Sequence, residues 1–201
     1  MTPGEILELA RACMAAEGAA VSAAATQLDG SFVQAAQLCL DCRGHVLVAG
    51  SGTSHPVAAR LAHLLSCCGT PALFIHPGDS QHGLAGAVTG GDVLIAISKG
   101  GETVEVNHLA RVARERGARI VAICERPDST LGRLADCVVR IVAPPEVDPY
   151  GMIATGSSLV NSAVCDALCV ALLRMRGYTK EEFARTHPGG AVGIRIREGT
   201  S

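Results

Sequence analysis

A histidine, a proline and two glycines stand together near the C-terminus, in Glu182-Phe183-Ala184-Arg185-Thr186-His187-Pro188-Gly189-Gly190-Ala191. Histidine is the side chain whose ordinary pKa lets it move protons near neutral pH. Pro188 fixes the chain after it, and the glycines allow backbone angles that other residues avoid. The run follows a helical pattern ending at Arg176-Gly177, so it suits a proton-transfer group, His187, held on an ordered tail. Alone it reads equally as a helix stop and a turn.

Two glycine- and hydroxyl-rich runs offer a second chemistry. Gly50-Ser51-Gly52-Thr53-Ser54-His55 begins like a dinucleotide loop, but His55 stands where a third glycine belongs. The acidic residue that would bind a ribose is also missing, because Ile75 runs into His76-Pro77. The pattern argues against a nicotinamide cofactor. Ser51, Thr53 and Ser54, with Gly52 and free amides at a helix start, suit a single phosphate group instead. Ser98-Lys99-Gly100-Gly101-Glu102-Thr103 is similar, with hydroxyls at both ends and Lys99 able to add charge. Either run also fits an ordinary strand-to-helix turn; two at adjacent strand ends favour a phosphate ligand.

Glu102 and Glu105 are expected in the first turn of the following helix, three residues apart and on one face. Favourable placement against the helix dipole accounts for them, and so does a carboxylate base, Glu105, beside a bound phosphate ester. His82 lies in the polar run Asp79-Ser80-Gln81-His82-Gly83 and reads as an acid–base group or as a surface residue. His63 falls inside a helical pattern and reads as structural, while His45, His55, His76 and His108 carry no functional pattern.

These residues need elements to hold them. Short apolar runs at His45–Ala49, Ala72–Ile75, Asp92–Ile97, Arg119–Ile123 and Cys137–Val142 read as strands. Pro56–Cys68, Thr103–Arg116 and Thr130–Ala135 carry helix-period apolar residues between them. Strands apolar on both faces, alternating with helices, predict an α/β fold: a three-layer, doubly wound, five-stranded parallel sheet in the order 2-1-3-4-5. Ligands in such sheets bind at the carboxyl ends of the strands near the switch in order, which falls at the two glycine loops. Residues 4 to 41 read as two helices, and a long helix from about Ser157 to Arg176 is expected to be capped by Ser157 or Ser158 and closed by Gly177. Residues 1–43 are thus expected to pack on one globular unit, 44–201.

Composition narrows the partners. Of 201 residues, 48% are hydrophobic and 2% aromatic, with a net charge of −2. Without clustered Lys and Arg or stacking rings, nucleic acid is not an expected partner. No signal peptide or membrane span stands out, so a cytoplasmic protein is expected. Nine cysteines include Cys39-x-x-Cys42, the adjacent Cys67-Cys68, and Cys165 and Cys169 one helical turn apart. A second C-x-x-C is missing, so no metal is expected, and the thiols read as reduced, buried small hydrophobes.

Taken together, the chain resembles the SIS (sugar isomerase) domain family, in its arabinose-5-phosphate isomerase branch. The resemblance is carried by Gly50-Ser51-Gly52-Thr53-Ser54, Gly69-Thr70-Pro71, His76-Pro77-Gly78 and Gln81-His82-Gly83. Ile97 through Thr103, Asp166-Ala167-Leu168, and Gly177-Tyr178-Thr179 through Thr186-His187-Pro188-Gly189-Gly190 complete it. It implies a cofactor-free aldose–ketose isomerase of a phosphosugar working through an enediol. Ser54, Ser98 and Thr103 would hold the phosphate, and Glu105, His82 and His187 fall on acid–base positions. It also implies a homo-oligomer, usually a tetramer, in which His187 could serve an adjacent subunit.

The branch usually has a catalytic lysine where Thr53 stands, Asn-Ser where Lys99-Gly100 stands, and Gly-Asp where Gly83-Leu84 stands. Its paired regulatory (CBS) domains are not expected here. A sugar-phosphate sensor that has lost catalysis is the alternative reading.

Overall fold

The strands of the computed structural model are β1 (Val46–Gly50), β2 (Ala72–Phe74), β3 (Val93–Ile97), β4 (Arg119–Cys124) and β5 (Cys137–Arg140). Residues 1–189 and 193–195 are described. The strands are all parallel, in the order β2-β1-β3-β4-β5. The expected doubly wound sheet is therefore present, with strand ends displaced by one or two residues. β1 and β3 lie side by side, with Val46 opposite Val93 and Gly50 opposite Ile97. That register brings the two glycine loops to one edge of the sheet, at its centre.

Alternate residues of each strand feed two separate cores. Val46, Val48, Ile95, Ile97, Val121, Ile123 and Val139 face α1 (Pro3–Ala25), α2 (Gly30–Leu40), α3 (Ser54–Cys67) and α7 (Gly156–Arg176). Leu47, Ala49, Leu94, Ala96, Ile120 and Ala122 face α5 (Val104–Glu115) and α6 (Thr130–Leu134). Burying each such Leu or Val stabilises the fold by roughly 1.5–3 kcal/mol. The same period of two that marks a strand thus assigns its neighbours.

Two short α-helices had no sequence expectation: α4 (Pro77–Ser80) and the terminal α8 (Lys180–Thr186). Thr179 and Glu182 form a capping box that starts α8, each side chain bonding the other's backbone N–H. α7 is long and apolar enough to cross a membrane by length and composition. It packs against α1, α2 and α3, and its buried side carries Val160, Val164, Leu168 and Leu172.

Candidate functional site at the carboxyl edge of the sheet

The turn from β1 into α3 depends on Gly50, where a Cβ would lie 2.6 Å from the Ser54 carbonyl oxygen. The chain then winds tightly. The Ser54 N–H donates to the Ser51 carbonyl at 3.0 Å and the His55 N–H to the Gly52 carbonyl at 3.1 Å. Two amides expected to be free for an anion are therefore used within the turn itself. Thr53 occupies the N-cap of α3 but makes no side-chain cap bond, and it is exposed with Gly52. Ser51 and Ser54 are half-buried.

The loop from β3 to α5 is the more organised of the two. Ser98 is buried, and its Oγ lies 2.8 Å from Thr103 Oγ1, so two hydroxyls expected at one ligand do converge. Thr103 is the N-cap of α5, in extended conformation. Gly101 has φ +70, and a side chain there would overlap Ser129 Oγ. Its carbonyl accepts the Leu131 N–H at 3.0 Å, which ties the loop to α6. Gly100 is exposed.

Lys99 is not a spare cation. Its Nζ lies 2.8 Å from Glu146 Oε1, and the Glu146 side chain is only 4% exposed. The other carboxylate oxygen accepts the Ser157 N–H at 3.1 Å. Burial pushes the Glu146 carboxyl up, but hydrogen bonds from Lys99 and Ser157 outweigh it and hold its pKa below the ordinary value. Glu146 therefore stays ionised and neutralises Lys99 at the mouth of the site. It also replaces the expected cap of α7. That helix begins at Gly156, so Ser157 and Ser158 lie in its first turn, and a carboxylate eleven residues upstream serves the Ser157 amide.

Glu102 and Glu105 do not share a helix face, since α5 begins only at Val104. Glu102 instead accepts the Thr130 N–H at 3.0 Å, at the start of α6. Bonds to Thr130 hold its carboxyl below the ordinary value. Its carboxylate is thus committed to the neighbouring loop. Glu105 sits half-buried in the first turn of α5, one residue inside the helix that Thr103 caps. α4 packs against α5, which brings the segment ending in His82 beside the helix of Glu105. His82 is exposed and its N–H donates to the Asp79 carbonyl at 2.9 Å.

Two histidines without a sequence pattern form part of this rim. His76 caps α4, its Nδ1 accepting the Asp79 N–H at 3.3 Å. His55 lies over Phe74 with ring centroids 4.5 Å apart, and 5.4 Å from His76. His63, expected to be structural, is an exposed residue of α3 whose Nε2 lies 3.6 Å from Cys67 Sγ.

His187 lies elsewhere. It closes α8, stacked on Phe183 at 3.7 Å, and its Nε2 lies 3.3 Å from Cys67 Sγ. Cys67 is the last residue of α3 and Ser54 the first, so they are roughly 20 Å apart at 1.5 Å per residue. Within one chain, His187 and the two glycine loops occupy opposite ends of the same helix. Gly190 and Ala191 of the His187 motif lie outside the described residues.

Residues 39–171 match the family model described as SIS domain. The chain is 38% identical to the arabinose 5-phosphate isomerase KpsF of Escherichia coli over 92% of this chain and 59% of that protein. It is 37% identical to the arabinose 5-phosphate isomerase KdsD of Yersinia pestis over 84% of this chain and 52% of that one. It therefore spans little more than half the length of these relatives. Among solved structures, E. coli CFT073 c3406 in complex with arabinose 5-phosphate superposes with a TM-score of 0.90 at 29% identity, covering 94% of this chain and all of that one.

Proposed function

This chain belongs to the SIS domain family, and from that premise we propose that it is an aldose–ketose isomerase of a phosphorylated sugar, with an arabinose-5-phosphate isomerase-like reaction. The observation that carries the reading is the β3–α5 loop. There, paired Ser98 and Thr103 hydroxyls stand at a helix N-terminus, with Glu105 in that helix's first turn. A phosphate ester takes its hydrogen bonds from those hydroxyls, from Ser51, Thr53 and Ser54 across the edge, and from the Gly52 and Gly100 backbone. The N-terminal ends of α3 and α5 favour its negative charge. Because Glu146 neutralises Lys99, helix dipoles and hydroxyls supply most of this recognition, and Lys99 contributes by orienting Glu146 at the mouth.

Glu105 removes the proton next to the sugar carbonyl, giving an enediol, and returns it to the neighbouring carbon. His82 and His187 exchange protons with the sugar oxygens. His187 acts from a neighbouring subunit, since its own-chain position is at the far end of α3. The protein is accordingly a homo-oligomer, read as a tetramer, and cytoplasmic.

Thr53 favours a second reading, a sugar-phosphate sensor, because it puts an uncharged side chain where the related isomerases carry a lysine. Incubation with a panel of pentose and hexose phosphates in D2O separates the two. Turnover with deuterium entering the carbon next to the carbonyl supports the isomerase. Tight binding of a sugar phosphate with no deuterium uptake across the panel removes it in favour of the sensor.

A further inference from the structure

Most of the cysteines behave as the composition suggests. Cys39, Cys165 and Cys169 are buried, and burial pushes the thiols of Cys39 and Cys169 up to about 12 and that of Cys165 up as well. Cys67 is different in what faces it. It is half-exposed at the end of α3, between His187 Nε2 at 3.3 Å and His63 Nε2 at 3.6 Å.

The surroundings of His187 fix which way protons run. Its Nδ1 lies 2.9 Å from the Phe183 carbonyl oxygen, which can only accept, and 3.0 Å from Thr186 Oγ1. The Thr186 hydroxyl already donates to that same carbonyl at 3.0 Å. Neither oxygen has a proton to offer, so Nδ1 carries the ring's proton and Nε2 is the acceptor. The Cys67 S–H then donates to Nε2. A nucleophile, a base within reach, and a third group orienting the base form the arrangement that activates cysteines. Stacking on Phe183 holds the imidazole plane in place.

We propose that Cys67 is a reactive thiol, with His187 as its base, that takes two-electron oxidants of the hydroperoxide class. His187 Nε2 accepts the thiol proton and the sulfur attacks the terminal peroxide oxygen. An S–O bond forms and the O–O bond breaks. The departing oxygen takes the proton held by His187 and leaves as water or alcohol. Cys67 is oxidised to the sulfenic acid and the peroxide is reduced.

The test needs no sugar phosphate, so its outcome is independent of the isomerase reading. The reduced protein is treated at pH 7 with limiting iodoacetamide, and separately with hydrogen peroxide plus dimedone. Modified peptides are then quantified by mass spectrometry. Cys67 is expected to react at least about tenfold faster than Cys13 and Cys42, which are also half-buried but lack an imidazole contact. His187→Gln is expected to slow Cys67 by about tenfold while a cooperative melt persists. Cys67 reacting no faster than Cys13 overturns the proposal, and that comparison stands even if the variant does not fold. Equal or faster labelling in folded His187→Gln also overturns it, since the imidazole would then only shield the thiol.

Discussion

The two ends of α3 make an instructive contrast. At Ser54 the helix opens onto a shallow edge of hydroxyls, glycines and carboxylates, with Ser98 and Thr103 already paired across the next loop. At Cys67 it ends against the one histidine whose motif looked most chemical, held there by stacking and hydrogen bonds of its own short helix. The first end has anion donors and bases but no second-chain histidine; the second has the histidine but none of those hydroxyls. The difference teaches that a sequence motif can be intact while its partners belong to another copy of the chain.

The strongest way to break this contrast is to remove the proposed base. Glu105→Gln keeps the shape of the side chain and loses its basic lone pair. It is expected to cut kcat by about 10²–10⁴-fold while phosphate-ester binding stays near wild type. Ordinary turnover in that variant would move proton abstraction to another group. His187→Ala tests the far end and is expected to lower kcat by roughly 10²-fold with little change in KM. A rise in KM alone would make the histidine a binding group.

The Lys99–Glu146 pair gives a smaller effect. Lys99→Met leaves a buried carboxylate without its cation, and a loss of about 1–2 kcal/mol is expected by chemical denaturation. Lys99→Met with Glu146→Gln should recover part of it; no recovery would show that the pair is not coupled. Thr103→Ala removes one of the two converging hydroxyls and should weaken phosphate-ester binding by about 1–2 kcal/mol in calorimetry. Unchanged affinity would take Thr103 out of the anion site.

Least dramatic is the acid response. The Glu146 carboxyl titrates below its ordinary value in the folded chain. Its contribution is therefore complete above the unfolded value of about 4.3 and is lost as pH falls through the folded value. Melts below about pH 4.3 should fall less steeply for Glu146→Gln than for wild type.

Much of the fold was legible because its signals are local. Alternating apolar residues in Val46–Gly50 and Val93–Ile97 fixed strands buried on both faces, and the order of strands followed from right-handed crossovers. The two glycine loops were legible for the same reason, each lying between a strand and a helix. What a side chain does across the fold was not. Glu102 reaches an amide 28 residues on, at Thr130, and Glu146 one eleven residues on, at Ser157. Glu146 itself was missed because Pro144-Pro145 and Asp148-Pro149 make its segment read as a connecting loop. Cys67 read as one apolar thiol among nine, since only the folded chain sets His63 and His187 against it.

Mixing Glu105→Gln and His187→Ala chains, each inactive alone, tests most directly whether the two ends of α3 serve different sites. The mixture is dissociated, reassembled and assayed on the best sugar phosphate found. If sites draw His187 from a neighbour, some reassembled sites combine an intact Glu105 with an intact His187, and about a quarter of wild-type activity is expected for random pairing of two chains. Activity that stays at the level of the separate variants, in a mixture shown to contain mixed oligomers, would contradict the account and require His187 to act within its own chain.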